Sequence, residues 1–297
     1  MRAMNPLLAE LARLLPRSLT VVDVGCRWGP DDIWRQLPGT RVIGFDPDED
    51  ECRRLAKEAG GGAARYVPVA LGGEAGPAPL HLTREPACSS LYPPDVGLVE
   101  TRPALVVITP AGEVEVELQT LDGWTGREGV DRVDFVKLDT QGSELDILQG
   151  AGRTLQAVRV VEAEVEFNPI YQSQPLFADV DRYLRGHGFV LWRLANLAHY
   201  SLPEGLSAFE TTETHHFDVD HPATFAGTGG QLYWANAFYV RAEIAFPPAS
   251  IPWETALADA VLTGALGFWD LARQSAARAS GAPPAVAERL RDFALAR

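Results

Sequence analysis

Asp23, Gly25 and Gly29 fall within VVDVGCRWG, a D-x-G-x-x-x-G arrangement that closes an apolar run. A carboxylate and two glycines crowded at the exit of a strand let the backbone come close to a ligand. Glycine has no Cβ to obstruct the approach, and the free amides of the turn serve as donors. Asp46 ends a second apolar run, VIGFDPDED, 23 residues after Asp23. A carboxylate there can accept two hydrogen bonds from a ribose diol. Together these residues describe an adenosine-type ligand lying across the ends of two neighbouring strands. A dinucleotide would ask for G-x-G-x-x-G, whereas here the acid precedes the first glycine and suits an ammonium better than a pyrophosphate. Two surface turns with a capping aspartate would contain the same residues but would account for neither spacing.

A third constellation lies in VDFVKLDTQGSELDILQGAG, residues 133–152. Lys137 and Asp139 share one face of a strand that otherwise reads as buried, and a buried lysine needs a partner. In VRVVEAEVEF, Glu162, Glu164 and Glu166 alternate and so share a face. The plain reading of Lys137 with Glu162 is an ion pair that stabilises the sheet. Asp139, Glu164 and Glu166 sit nearer the strand ends, where open α/β sheets bind ligands, and are candidates for substrate contact. His187, in a Gly-His-Gly turn, and His199 are weaker candidates, because a histidine's role depends on its neighbours. HHFDVDH (215–221) has enough ligand atoms in His215, His216, Asp218, Asp220 and His221 for a divalent metal, but it matches no fixed-spacing motif. A metal is therefore not favoured, nor is magnesium between Asp139 and a glutamate. Ser89 and Ser90 read equally as a pocket loop or a plain turn; Trp28, Trp34, Trp192 and Trp234 read as core or pocket wall.

These residues need elements to hold them. From about 18 to 195, short Val/Ile/Leu runs (18–25, 40–46, 65–71, 133–139, 158–167 and 189–194) alternate with helical stretches, the pattern of a mostly parallel sheet covered on both faces. Residues 72–130 and 196–230 interrupt that rhythm as insertions, the first with an expected hairpin of ALVVIT and EVEVEL around Pro110-Ala111-Gly112. QLYWANAFYVRA (231–242) reads as a further strand. The expected division is a domain of residues 1–250 and a helical extension of 251–297. In the extension Leu257, Val261, Leu262, Leu266 and Trp269, then Val286, Leu290 and Phe293, keep helical spacing and suggest a lid or a homodimer contact. The first 18 residues resemble a signal peptide, but Glu10 and Arg13 interrupt the apolar run. Leu7, Leu8, Leu11, Leu14 and Leu15 instead form the stripe of a short packing helix.

Composition narrows the partners. Against 26 basic residues stand 40 acidic ones, a formal charge of −14, which repels nucleic acid and anionic membrane. Three cysteines without a CxxC spacing suggest neither a disulfide framework nor a zinc site. With no run long enough to span a bilayer, the expectation is a cytoplasmic protein of 297 residues.

At this point a resemblance is specific. VVDVGCRWG, VIGFDPDE, YVPVALGG, ACSSLYPPD, TLDGW, VDFVKLDTQGSELDILQGAG and VEFNPIYQSQPLFADVDRYLRGHGF follow one another as in the FkbM family of S-adenosylmethionine-dependent methyltransferases. KLDTQGSELDILQGA resembles the family's K-I-D-x-E/Q-G-x-E-x-x-V-L-x-G-A signature. The resemblance implies an α/β, Rossmann-like class I methyltransferase sheet of seven strands, the last antiparallel, and methylation of hydroxyls on sugars or natural-product scaffolds. It also implies that Asp23, Gly25 and Gly29 hold the methionine end of the cofactor, that Asp46 binds the ribose, and that the segment around Val69, Ala70 and Leu71 flanks the adenine. Asp139 falls at the signature acid. Cys26-Arg27-Trp28 departs from the small or amide residues usual in that loop; Arg27 reads either as a ligand of the cofactor carboxylate or as a solvated turn residue. Methylating an alcohol calls for a general base, for which Glu164 and Asp139 lead and Glu166 follows. Two rivals stand beside this reading: a nicotinamide-dependent oxidoreductase on a similar sheet, and a non-catalytic cofactor-fold module with the helical tail as its interface.

Overall fold

Leu19–Val24, the first strand of the central sheet (β1), is buried at every position, as a near-continuous Val/Leu run covered on both faces must be. The structure is a computed structural model that describes residues 4–60, 62, 64–200, 214–216, 222–224 and 230–296. Thr40–Phe45 (β2) and Ala64–Val67 (β3) lie to one side of β1. Phe135–Leu138 (β4), Val160–Glu166 (β5), Phe189–Tyr200 (β6) and Gln231–Arg241 (β7) complete the other side. The order is β3-β2-β1-β4-β5-β7-β6, all parallel except β7, which runs antiparallel to β5 and β6. This is the seven-stranded sheet that the resemblance implies. Its order reverses between β1 and β4, which opens a crevice at the carboxyl ends of those strands.

Each face of the sheet has its own core. On one, the helix Pro6–Arg13 (α1) packs Leu8 and Leu11 against Leu19, Val21, Phe135 and Val160. Asn5 caps α1 by accepting from the amides of Leu7 and Leu8, so the leucine stripe forms a packing helix as expected. Three C-terminal helices, Trp253–Ala265, Trp269–Ala277 and Pro284–Leu295, join the same core through Leu257, Val261, Leu262, Leu271, Leu290 and Phe293. Arg159, just before β5, clamps the buried Asp259 of the first of these helices with two 2.8 Å hydrogen bonds. Of the positions that suggested a lid or dimer contact, Leu257, Val261, Leu262, Leu290 and Phe293 are buried within the chain, and Leu266, Trp269 and Val286 are partly buried against the same core. Leu290→Ala is expected to destabilise the whole protein by about 2 kcal/mol, the low end for a buried leucine. Urea unfolding checks it: a parental midpoint would mean that the last helix is not part of the cooperative core.

The other face is covered by Leu121–Arg127, Glu144–Gln149 and Phe177–Gly186, which bury Trp124, Ile147, Leu148, Val180 and Leu184 on Val22, Val24, Val136 and Val161. The expected hairpin is corrected. Pro103–Ile108 is a 3-10 helical segment, and Leu105 and Ile108, three apart and on one side of it, are buried beside Ile170, Tyr171 and Tyr233. Pro110–Gln119 pairs antiparallel with Gly76–Thr83 instead. The run 65–71 also divides: after β3, Ala70–Leu71 leaves the central sheet to pair with Leu118–Gln119. β6 continues to Tyr200, into the second expected insertion.

Candidate active site

The loop after β1 is held from both sides. The amides of Gly25 and Cys26 donate to the Phe45 carbonyl at 2.9 and 3.1 Å. Gly25 has φ +76°, and a Cβ there would sit 1.9 Å from the carbonyl oxygen of Asp139, so the close approach requires glycine. Gly29, φ +83°, faces Arg35 and Leu55 rather than the crevice and serves the turn that leads away from it. Asp23 is buried beneath this loop with one carboxylate oxygen unpartnered. Burial pushes its carboxyl up to about 6, against the pull of Lys137 on the adjacent strand.

Above the loop a cavity of about 360 Å³ crosses the carboxyl ends of β1, β2 and β4. Gly25, Arg27, Asp46, Ala70 and Asp139 line it, as do Ser89, Ser90 and Gln141. Asp46 ends β2 and accepts the Asp48 amide at 2.8 Å; burial raises its carboxyl, and that hydrogen bond opposes the rise. The Arg27 guanidinium binds Asp48 at 2.8 Å and lies 3.9 Å from Asp46, which places it at the β2 end of the cavity. Leu80, Leu82, Val114 and Val116 roof the cavity from the paired insertion strands, and Val69, Ala70 and Leu71 line it with them. EVEVEL alternates for that reason: its valines face the cavity while Glu113, Glu115 and Glu117 face water. Trp28, φ +77° and 72% exposed, stands at the rim.

Such a cavity suits an adenosine bearing a charged tail. Its apolar slot fits a flat purine, Asp46 is set for a diol, and Gly25 leaves no Cβ in the cradle. The unpartnered, buried oxygen of Asp23 adds negative charge under the glycine loop for a cationic group.

Beside it, a smaller cavity of about 30 Å³ is lined by Glu164, Glu166, Gln141, Tyr200 and Trp234. Glu164 and Glu166 are buried, and both carboxyls are held well above the ordinary range. Desolvation is the main cause for each; Asp139 adds most for Glu164 and Glu144 for Glu166. The plain pairing of Lys137 with Glu162 is also corrected. Lys137 approaches Asp139 at 3.8 Å, whereas Glu162 accepts from Asn236 at 3.1 Å and is pushed up to about 8 by burial. Burial disfavours the Lys137 charge, but Asp23, Asp139 and Glu162 more than offset that and raise it.

Several functional neighbours carry no periodic signal in the sequence. Glu144 accepts from the Thr140 amide and hydroxyl and the Gly142 amide at 2.7–3.0 Å, and so shapes the loop after β4. Gln141 and Glu144 stand inside the quoted signature, and Tyr171, 30 residues beyond Gln141, inside the quoted segment that begins VEFNPIY; those resemblances are the signals that mark them. His187 holds the Tyr183 carbonyl at a helix end, and neither it nor His199 lines these cavities. Asp218, Asp220 and His221 lie outside the described residues, and of His215 and His216 only the strand backbone is described. Among the described residues no group of three His, Cys, Asp or Glu side chains could hold a metal, and no helix is long and apolar enough to cross a membrane.

Residues 30–191, more than half of the chain, match the family described as Methyltransferase FkbM domain. A curated relative, the 2-O-methyltransferase NoeI of Sinorhizobium fredii (strain NBRC 101917 / NGR234), is 24% identical over 168 residues, 54% of this chain and 69% of its own. Among solved structures, methyltransferase FkbM from Methylobacillus flagellatus KT is 13% identical with a TM-score of 0.37 and covers 75% of this chain and 43% of that one. Magnesium protoporphyrin IX methyltransferase from Synechocystis PCC 6803, with S-adenosylmethionine bound, is 14% identical with a TM-score of 0.37 and covers 79% and 76%.

Proposed function

The chain belongs to the FkbM methyltransferase family, and from that premise we propose that it transfers a methyl group from S-adenosylmethionine to a hydroxyl of a sugar or natural-product acceptor. The nicotinamide alternative ends with that membership. The observation that carries the oxygen acceptor is the contact between the two cavities. Asp139 lines the larger one, Glu164 the smaller, and one side chain, Gln141, reaches both acids. The relative that is a 2-O-methyltransferase supports the same acceptor atom.

When bound, the cofactor supplies a methyl already activated on a sulfonium. Asp46 takes the ribose hydroxyls, and Val69, Ala70 and Leu71 enclose the base from below. Gly25 permits the close approach, Asp23 contributes charge beneath it, and Gly29 acts through the loop's shape. Arg27 braces Asp46 and Asp48. Glu164 or Asp139 accepts the acceptor's proton, with Glu166 behind them, and the apolar roof excludes water. The acceptor itself is selected by the insertions around 72–130 and 196–230.

Calorimetric titration of the full chain with S-adenosylmethionine, S-adenosylhomocysteine and NAD tests this reading. Both sulfur ligands are expected to bind while NAD stays silent. Asp46→Ala is expected to weaken both by about 10- to 100-fold, the worth of one or two hydrogen bonds to a carboxylate. Parental affinity in that variant would move the ribose elsewhere, and silence from all three ligands would favour a non-catalytic module.

A further inference from the structure

Gln141 stands in the wall between the two cavities and lines both. Its backbone is left-handed at φ +58°, which costs a non-glycine residue about 1 kcal/mol. Neighbours hold it there: Ser90 Oγ donates to its carbonyl at 2.6 Å, and the flanking amides of Thr140 and Gly142 donate to Glu144. The side chain is constrained as well. The Tyr171 hydroxyl lies 3.1 Å from Gln141 Oε1 and 2.7 Å from the Cys88 carbonyl. Oε1 is turned to that hydroxyl and Nε2 faces the acids. It donates to Glu164 Oε2 at 2.5 Å and lies 3.4 Å from Asp139 Oδ1. A single amide nitrogen therefore ties the carboxyl of one cavity to the carboxyl of the other.

The charges around that nitrogen are unbalanced. Glu164 is faced by Asp139 at the end of β4, Glu144 on the helix that follows, and Glu166 on its own strand. Tyr171 from the loop after β5, Cys88 from the first insertion and Tyr200 from β6 also approach it. Lys137, 3.8 Å from Asp139, is the nearby cation among the described residues, and it also serves Asp23 and Glu162. Glu144, Glu164 and Glu166, three buried carboxyls so close together, cannot all be ionised at once.

We propose that Gln141 is a positioning residue that docks Glu164 onto Asp139 as a pair, and that Glu164 gives up its proton when a sulfonium cation enters the neighbouring cavity. The proposal rests on the cofactor reading above. A cation beside Asp139 supplies the missing opposite charge, and the Gln141 amide is the donor that stabilises Glu164 once it is ionised. The proton leaves for the buffer and no bond to carbon is made or broken. The pair is thereby set to accept a hydroxyl proton only after the methyl donor has arrived.

Calorimetry near neutral pH, in two buffers of different ionisation enthalpy, counts protons released on binding. The full chain is expected to release about one more proton with S-adenosylmethionine than with the uncharged thioether S-adenosylhomocysteine. Glu164→Gln is expected to abolish that difference. Gln141→Met, of equal length without the amide, is expected to reduce it at least about twofold. Tyr171→Phe, which frees the amide to turn, is expected to move the count in the same direction, so the proposal does not hang on one variant. Equal proton counts for the two ligands, or an undiminished difference in Glu164→Gln, would overturn the proposal and leave the cofactor reading intact. Failure of both ligands to bind would overturn that reading, and the proposal with it.

Discussion

Gly25→Val is expected to weaken S-adenosylmethionine binding by more than about 100-fold, the largest binding loss of any single change in the loop. Valine at φ +76° is strained in itself by about 1–2 kcal/mol. Its Cβ would also fall 1.9 Å from the oxygen and 2.8 Å from the carbonyl carbon of Asp139. Those atoms are backbone, and the Asp139 amide is bonded at 3.0 Å to the Val24 carbonyl, so the ends of β1 and β4 must part. Overpacking of this kind costs a further 1–3 kcal/mol or so, enough to close or tilt the cavity floor. Gly29→Ala is the contrast. Its Cβ would meet the flexible end of Arg35 at 2.4 Å, which can swing away, so the loss should be smaller although φ is also positive. Calorimetry and thermal melting on both variants check the ranking. Near-parental affinity in Gly25→Val would mean that the loop is not the cofactor platform.

The sheet was legible because burial on both faces leaves a direct trace: β1, β2, β4 and β5 are buried at nearly every position, Val/Ile/Leu/Phe-rich runs interrupted by isolated polar residues such as Asp23, Lys137 and the alternating glutamates of β5, and helices lie between them. The glycine loop and Asp46 were legible for a different reason. Each sits at a strand end, where a close backbone approach or a lone carboxylate is most simply used on a ligand. The hairpin misreading shows where this logic stops. Val106, Val107 and Ile108 are β-branched, yet Leu105 and Ile108 find a better hydrophobic partner in Tyr171 and Tyr233 from distant parts of the chain. Lys137 misled in a similar way, since strand register sets it beside both Asp23 and Glu162 and the sequence cannot say which acid its ammonium approaches. The amide bridge of Gln141 was invisible, because it depends on a hydroxyl 30 residues later and on a left-handed backbone. Periodicity reports which face is buried; it does not report which polar atoms meet there.

Glu164→Gln is expected to lower kcat for methyl transfer by about 10²- to 10⁴-fold, the usual contribution of a positioned base, with cofactor affinity near that of the parent. The substitution keeps the side chain's volume, and its oxygen can still accept from Gln141, so the walls of both cavities stay in place. The pH dependence has a definite sign. Burial first, then Asp139 and Glu166, raise the Glu164 carboxyl, so its basic form is scarce at low pH in the free protein and parental kcat/KM for S-adenosylmethionine should climb as pH rises through the raised value. The same shift acts on stability in the opposite sense. Unfolded, the carboxyl ionises above about pH 4.3, while in the fold it keeps its proton to higher pH. Stability from this group is therefore present below the unfolded value and lost as pH rises towards the folded one. Glutamine carries no such penalty. The variant should thus equal or exceed the parent in urea unfolding at mildly alkaline pH, with the advantage gone near pH 4. A fall in kcat alongside unchanged or improved stability separates a chemical role from a structural one. If Glu164→Gln turned over within tenfold of the parent and kept its pH profile, the base would lie across the amide bridge at Asp139, where Asp139→Asn would then carry the loss.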